Sequence, residues 1–224
     1  MPKKSRKIIT DIFLDFNASD GGANRIDLRI YTDGSCINNG KTNSVGGIGI
    51  HFPNKELSDV SKVFRRENCT NQRTELYAIT YALTLIKKKL DITEYNVIIY
   101  SDSMYSINCL TKWVFAWRKN EWKKKDGTSV ANREFIDRTA TIIEKYSISL
   151  IHVDAHTGRD DYNSKANEIA DKLATDASKR AMIEIKKNGK FNQIKNHGSK
   201  KMNTINQISD LKNLNFVVEL VKLK

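Results

Sequence analysis

Four acidic residues stand at junctions of the chain where carboxylates could serve a common site. Asp33 lies where an alternating segment, 26–31, gives way to an Asp-Gly pair, and Asp102 directly follows a nearly continuous apolar run. Glu75 lies early in a helix-like segment, and Asp171 lies on the last amphipathic segment. Carboxylates that a fold brings together repel one another and need a cation. Their oxygens suit Mg²⁺, and two such ions can clamp the attacking and leaving oxygens of an in-line phosphoryl displacement.

Each acid also has an ordinary structural explanation. Asp33 before Gly34 is typical of a turn, and Asp102 is a suitable helix N-cap. Glu75 could be a first-turn acid favoured by the helix dipole, and Asp171 could be surface charge. Singly, these explanations are the stronger ones. Four acids at these junctions together favour a shared site.

The hydropathy pattern predicts five strands and at least four helices. The strands are 26–33, 45–52, 60–66, 95–101 and 147–153, and the helices are 70–90, 103–119, 131–146 and 164–187. Three early strands suit an antiparallel meander, and the later helix–strand alternation suits parallel crossovers. The predicted fold class is therefore α/β, with a mixed five-stranded sheet and helices on both faces. In such a sheet, a site usually lies at the carboxyl end of a central strand.

Charge is distributed unevenly along the 224 residues, which carry a net charge of +12. Basic side chains concentrate in 1–7, 112–126 and 179–201, around a mildly acidic body. This pattern fits a polyanionic partner such as nucleic acid, and it fits solvated lysine faces equally well. The three cysteines show no CxxC spacing, so we expect reduced thiols and neither a disulfide framework nor a zinc site.

The chain divides into three predicted parts: a basic and apolar N-terminal tail with a linker (1–25), a catalytic domain (26–180) and a basic C-terminal extension (181–224). The extension could bind phosphate backbones, or its apolar end could cover a sheet edge or mediate dimerisation. No apolar run is long enough to span a bilayer, and no secretory signal core is recognisable. We expect an intracellular protein, nuclear or cytoplasmic. The cluster PKKSRK at 2–7 suits nuclear localisation or nucleic-acid contact.

Seven segments resemble type 1 ribonuclease H of the cellular kind, in the order of that family. They are YTDGSC (31–36), VGGIGI (45–50), TNQRTEL (70–76), SDSMYSIN (101–108), KWVFAWRKNEW (112–122), HVDAHTG (152–158) and NEIADKLA (167–174). The resemblance covers about residues 26–180. It implies an endonuclease that hydrolyses the RNA strand of RNA–DNA hybrids by two-metal-ion catalysis, leaving 5′-phosphate and 3′-hydroxyl ends.

The resemblance also assigns the site. It implies that Asp33, Glu75, Asp102 and Asp171 bind two Mg²⁺ ions, with Mn²⁺ as a substitute and no organic cofactor. His156 matches the family's mobile-loop histidine, which assists proton transfer and product release. An imidazole suits that role because it exchanges protons near neutral pH. His152, on the preceding strand, we expect to be structural.

Hybrid recognition is expected to depend on the 2′-hydroxyl, which marks each RNA residue. The resemblance implies groove contacts from four residues: Cys36, Asn39, Asn71 and Gln72. Glu75 is expected to accept a hydrogen bond from a 2′-hydroxyl as well as to bind metal. Asn71 and Gln72 could also cap the helix that begins there, and both roles are compatible.

The DNA strand is expected to contact a basic protrusion and a phosphate pocket. In the protrusion, the resemblance favours Trp122, Lys123 and Lys124 for DNA contact, and Trp113 and Trp117 for the protrusion's own core. In the pocket, the matching residues are Thr70 and Asn132. Asn68 stands where eukaryotic members have an arginine, which weakens the expected pocket unless Arg65 or Arg66 substitutes.

Three other functions compete with this interpretation. They are a non-catalytic hybrid-binding module on the same fold, a DNA-acting integrase or resolvase, and a domain of a reverse transcriptase. All four catalytic acids are present in the sequence, which argues against the first. The segments TNQRTEL and the Trp-Lys protrusion argue against the second, and the complete protrusion with its own N-terminal tail argues against the third.

Overall fold

Alternating and apolar segments of the chain form the strands of one mixed sheet. In this computed structural model, the described residues are 25–154 and 160–188. The strands are β1 (Ile26–Ile37), β2 (Val45–His51), β3 (Val60–Phe64), β4 (Tyr95–Ser101) and β5 (Ser149–His152). Their spatial order is β3-β2-β1-β4-β5. β2 pairs antiparallel with both β1 and β3, whereas β4 pairs parallel with β1 and β5. The predicted mixed five-stranded sheet is confirmed.

Helices cover both faces of this sheet. They are α1 (Asn71–Lys89), α2 (Met104–Asn108), α3 (Val114–Lys119), α4 (Arg133–Tyr146) and α5 (Tyr162–Asn188). A 3₁₀ turn at Ile92–Glu94 precedes β4, and a π-helical segment at Cys109–Trp113 joins α2 to α3. α5 continues past the predicted domain boundary at residue 180. No helix among the described residues is long and apolar enough to cross a membrane.

One core lies between the sheet and α1 with α4. α1 begins after the N-cap Thr70, whose side chain accepts a hydrogen bond from the backbone of Arg73, and it supplies a stripe of apolar side chains. Leu76, Ile79 and Leu83 of this stripe are fully buried. Burial of each such side chain contributes about 1.5–3 kcal/mol, which holds α1 on the sheet.

A second, smaller core lies between the sheet and α5. It contains Tyr31, Tyr100, Val153, Ala166 and Ala170. The rings of Tyr31 and Tyr100 are stacked with centroids 4.6 Å apart. The alanines of α5 lack long side chains, so the helix backbone lies close to the sheet, and this proximity sets the position of the acidic residue that α5 carries.

Candidate active site

Asp33 and Asp102 lie at one edge of the sheet, where β4 ends and the neighbouring β1 continues. The parallel pairing of β1 with β4 ends at Tyr31 and Tyr100, and Asp102 follows the last residue of β4. Asp33 lies two residues beyond the end of that pairing and is paired with Gly49 of β2. The expectation that Asp33 marks a strand–turn boundary is therefore wrong. β1 stays extended to Ile37 because β2 still supplies its hydrogen-bond partners there.

Glu75 reaches this edge because α1 passes directly over a glycine of β1. A β-carbon added at Gly34 would collide with the backbone of Thr74 and Glu75. The missing side chain lets the two backbones touch, and it brings the Glu75 carboxylate to the carboxyl end of β4. Glu75 is only 6% exposed. The alternative of a solvent-facing first-turn acid is excluded, since the first turn of α1 has no acidic residue.

Asp171 is positioned by a second close approach, on the opposite face of the sheet. Added β-carbons at Gly47 and Gly49 of β2 would collide with the backbone of α5 at Ala174 and Ala170. Ser61 of β3 strengthens this contact, because its hydroxyl donates to the carbonyl of Leu173 at 2.6 Å. Asp171 is half-buried and follows Ala170 directly, so the glycine pair of β2 sets its distance from the other acids.

Three of the four acids form a cluster able to hold a cation. One carboxylate oxygen from each of Asp33, Glu75 and Asp102 lies within 4.8 Å of the others. Asp171 is outside this tightest group, but its negative charge raises the pKa of both Asp33 and Glu75.

The electrostatics of the cluster favour a bound cation. Burial, followed by the charges of Asp102 and Asp171, raises the pKa of Asp33 to about 7. Burial, followed by the charge of Asp33, holds the pKa of Glu75 well above its ordinary value. Within the described residues, Oε2 of Glu75 is buried without a hydrogen-bond partner. An unpaired buried carboxylate oxygen among other carboxylates fits a divalent cation with oxygen ligands.

Of the two histidines of the HVDAHTG segment, His152 lies among the described residues and His156 does not. His156 lies outside the described residues, so its predicted role stays a prediction. His152 lies at the end of β5, and its Nε2 is 3.1 Å from the carbonyl oxygen of Asp102. This contact supports the structural role expected of His152, because it ties β5 to the backbone of a cluster residue.

The predicted groove residues gather around the start of α1. Oδ1 of Asn39 accepts a hydrogen bond from the backbone N–H of Asn71 at 3.1 Å, and Gln72 is exposed. Sγ of Cys36 lies 3.4 Å from Sγ of Cys69. Thr70 and Asn39 accept the hydrogen bonds that cap the start of α1. The side chains of Asn71 and Gln72 are not used as caps, so they are available to a ligand.

One arginine contacts both predicted pocket residues, Thr70 through its backbone N–H and Asn132 through its guanidinium. Thr70 and Asn132 lie at the starts of α1 and α4, and Arg73 bonds to both. Arg73 is not among the residues predicted from the sequence. It stands inside TNQRTEL, but its partners Asn132 and Glu134 are about 60 residues away in sequence. Its place within TNQRTEL was therefore the one feature of the sequence that could have marked Arg73 as a functional residue.

The protrusion places its aromatic side chains differently from the expectation. Trp122 is 6% exposed, and Arg133 lies over its ring, 5.1 Å from the centroid. Trp113 is 41% exposed. Lys123 and Lys124 are exposed and remain available to phosphates. The expectation that Trp122 offers a face to DNA needs correction, since its ring belongs to the core of the protrusion.

Known proteins are similar to this chain over the part of the sequence that forms the sheet and its helices. A family model described as RNase H matches residues 25–179. A probable ribonuclease H of Acanthamoeba polyphaga mimivirus is 48% identical over 143 residues, covering 64% of this chain and 62% of that protein. The ribonuclease H of Clostridium botulinum (strain Hall) is 36% identical over 143 residues, covering 63% of this chain and 91% of that protein. Ribonuclease H1 of Homo sapiens is 34% identical over 153 residues, covering 68% of this chain and 50% of that protein. The chain thus spans less than two thirds of the mimiviral and human relatives.

Solved structures show the same fold at lower identity. LC9-RNase H1, a type 1 RNase H with the type 2 active-site motif, matches with a TM-score of 0.54 and 24% identity over 71% of this chain and 75% of that one. A foamy viral protease–reverse transcriptase, solved in complex with RNA/DNA hybrid, matches with a TM-score of 0.56 and 20% identity over 80% of this chain and 23% of that one. These likenesses extend the agreement from sequence to architecture.

Proposed function

The chain belongs to the RNase H family, and from this premise we propose that it is an endonuclease that hydrolyses the RNA strand of RNA–DNA hybrids. The observation that carries the proposal is the convergence of Asp33, Glu75 and Asp102 within 4.8 Å, with an unpaired buried oxygen on Glu75. A structural ion pair would explain a single buried acid. It does not explain a cluster in which the charges of Asp102 and Asp171 raise the pKa of both Asp33 and Glu75, beyond the effect of burial.

The proposed cofactor is a pair of Mg²⁺ ions, for which Mn²⁺ can substitute. The carboxylates of Asp33, Glu75 and Asp102 would hold them, with Asp171 completing the set from α5. When bound, such ions activate the attacking water and stabilise the departing 3′ oxygen. The chain's own part is to hold the carboxylates rigidly between β1, α1 and α5. His156 is proposed to move a proton beside the leaving oxygen, as an accelerator of the reaction.

Selection of the hybrid is proposed to occur in the groove beside α1. The exposed side chains of Asn71 and Gln72 lie one turn before Glu75, so the 2′-hydroxyls of the RNA strand would meet donors, acceptors and the cluster together. Asn39 and Cys36 border the same helix start. A DNA strand lacks the 2′-hydroxyl and would leave these polar groups without partners, which disfavours its binding there.

The DNA strand is proposed to bind at the pocket of Thr70 and Asn132 and at the protrusion. Lys123 and Lys124 would contact phosphates, with salt-dependent affinity. The exposed ring of Trp113 offers an apolar face for a sugar. The basic extension, 181–224, is proposed to add contacts without sequence preference, and a nuclear or cytoplasmic location would suit such a substrate.

A substrate panel tests the proposed function. The purified chain is incubated with labelled RNA–DNA hybrid, duplex DNA and duplex RNA, with and without Mg²⁺, beside Asp102→Asn and a surface control, Asp27→Asn. Metal-dependent loss of the RNA strand only in the hybrid is expected, and it should disappear in Asp102→Asn alone. Binding of the hybrid without cleavage would favour the non-catalytic module. Equal cleavage of duplex DNA would overturn the substrate assignment.

A further inference from the structure

Arg73 connects the two residues of the proposed DNA-phosphate pocket. Its backbone N–H donates to Oγ1 of Thr70 at 3.3 Å, and its Nη1 donates to Oδ1 of Asn132 at 3.2 Å. Nη1 also donates to Oε1 of Glu134 at 2.7 Å, and the guanidinium lies 5.0 Å from the ring centroid of Phe135. The side chain is only 17% exposed. Contacts on several sides therefore fix the direction in which this guanidinium donates.

The guanidinium determines which end of the Asn132 carboxamide faces it. Arginine carries donors and no acceptor, so the atom of Asn132 next to Nη1 must be the oxygen. Nδ2 then points the other way, where it lies 3.2 Å from the hydroxyl of Tyr105. A tyrosine hydroxyl can donate as well as accept, so by chemistry alone it can bond to either end of a carboxamide, whereas a guanidinium can bond only to the oxygen. Of these two contacts, the one from Arg73 selects the orientation.

Both the backbone and the side chain of Asn132 are held in place. Asn132 adopts a left-handed conformation, with φ 61°, immediately before α4. Its side chain is held between Arg73 and Tyr105, so the position of its donor depends on the half-turn of the terminal amide. That rotation exchanges a donor for an acceptor without moving the side chain out of the pocket.

We propose that Arg73 is a positioning residue, which orients the Asn132 carboxamide so that the N–H of Nδ2 not bonded to Tyr105 donates to a phosphate of the DNA strand. The inference rests on the proposed function. A phosphate oxygen only accepts hydrogen bonds, so a flipped carboxamide would present an acceptor to an acceptor. Asn68, where an arginine is expected, is exposed and supplies no cation. Orientation of a neutral donor by Arg73 would compensate in part for that missing charge.

Neighbouring arginines are engaged elsewhere and do not replace Arg73. Nη2 of Arg65 donates to Oε2 of Glu184 at 2.9 Å. The guanidinium of Arg66 lies over the ring of Tyr77, 5.8 Å from its centroid. Among the interactions described for the chain, neither of these guanidiniums bonds to Asn132, whereas that of Arg73 does.

A double-mutant cycle tests the proposal. KM and kcat for the hybrid are measured for Arg73→Gln, Asn132→Ala and the double variant. Arg73→Gln should raise KM about tenfold, the effect of one lost hydrogen bond to a charged group, with kcat changed less than twofold. In the Asn132→Ala background, the same change should raise KM less than twofold, because the residue through which Arg73 acts is absent. Additive effects would overturn the proposal, since Arg73 would then act by charge or by fold stability.

Three controls separate orientation from charge and folding. Arg29→Gln removes the same charge from the first half of β1 and should leave KM unchanged. Arg73→Lys keeps a donor that cannot accept, so it should restore most of the wild-type KM. If Arg73→Gln loses the fold, Arg73→Met replaces it in the cycle, because its aliphatic stem still covers Phe135.

A modified substrate provides a second measurement. Single methylphosphonates are placed along the DNA strand to neutralise one phosphate at a time. One position should weaken binding to the wild-type chain and have no effect on Asn132→Ala, and the absence of such a position would overturn the proposal. Fluorescence anisotropy is recorded in parallel. Binding by the wild-type chain without cleavage refutes the proposed function alone, whereas cleavage with additive mutational effects refutes this inference alone.

Discussion

Asparagine in place of Asp33 should stabilise the metal-free protein near neutral pH while it abolishes activity. Burial and the charges of Asp102 and Asp171 raise the pKa of Asp33 to about 7 from an ordinary value of 3.8. A raised carboxyl pKa means that the folded state favours the protonated form. Its contribution to stability is complete below the ordinary pKa and is lost as the pH rises through about 7.

The size of this loss follows from the two pKa values. At pH 5 the unfolded carboxyl is already ionised, whereas the folded carboxyl keeps its proton until about pH 7. Over about two pH units the folded state thus binds one more proton than the unfolded state, and the free energy of unfolding falls by about 1.4 kcal/mol per pH unit. The wild-type chain should therefore lose roughly 3 kcal/mol more than Asp33→Asn between pH 5 and pH 8, or about 5–10 °C in Tm.

Thermal and urea unfolding in EDTA, followed by circular dichroism at pH 5 and pH 8, measure this difference. Asp27→Asn, an exposed substitution on the same strand, is the control and should behave as wild type. Divalent cation added at pH 8 should restore most of the wild-type loss and little in Asp33→Asn, because the metal offsets the repulsion. Equal pH dependence of wild type and Asp33→Asn would refute the reasoning, since Asp33 would then carry no penalty for its charge.

The protrusion, the contact of α5 with β2 and a buried thiol each allow a further test. Trp122→Ala should lower the free energy of unfolding by about 3–5 kcal/mol, because its ring is buried. Trp113→Ala should weaken hybrid binding, with a stability loss under about 1 kcal/mol. A larger stability loss in Trp113→Ala by denaturation, with weaker binding in Trp122→Ala by anisotropy, would contradict the difference in burial. Gly49→Ala should force α5 away from β2, with a stability loss of about 1–3 kcal/mol and a lower kcat; an unchanged kcat would mean that Asp171 does not depend on this contact. Burial raises the pKa of Cys109 to about 11, so iodoacetamide at pH 8 should modify it roughly a hundredfold more slowly in the native than in the urea-unfolded chain. Mass spectrometry after timed quenching measures this ratio, and equal rates would contradict the burial.

Local pattern alone determined most of the secondary structure. The run YNVIIYS predicts a buried strand at 95–101, and β4 has those bounds. The apolar spacing after Thr70 predicts the first helix, and α1 begins one residue later. Both predictions succeed because strand and helix periods depend on neighbours within a few residues. The order of these elements was then sufficient for the fold class, since short connections and right-handed crossovers leave few topologies.

The pairing of β1 with β2 determines the backbone conformation at Asp33. An Asp-Gly pair after an alternating segment is a turn signal by sequence, yet β2 extends β1 through this pair. Gly34 serves the close approach of α1 and not a turn. The same residue type satisfies both needs because it lacks a β-carbon, so the sequence could not distinguish them.

The orientation of the protrusion's tryptophans also required the structure. The segment Cys109–Trp113 is π-helical, so it holds more residues per turn than the α-helix on either side. Trp122 lies beyond the end of α3, where Glu121 and Trp122 both adopt left-handed backbone conformations, so no helical spacing predicts that its ring is buried while that of Trp113 is exposed.

The sequence by itself determined the chemistry of the site, and the tertiary structure decided its geometry. Four acids in recognisable segments were enough to predict a metal-dependent hydrolase. Glu75 meets Asp33 and Asp102 within 4.8 Å because Gly34 lets α1 approach the sheet, and Gly47 and Gly49 let α5 bring Asp171 close from the opposite face. The bond from Arg73 to Asn132 joins residues 59 positions apart. Such contacts depend on how elements pack, and no periodicity within one element records them.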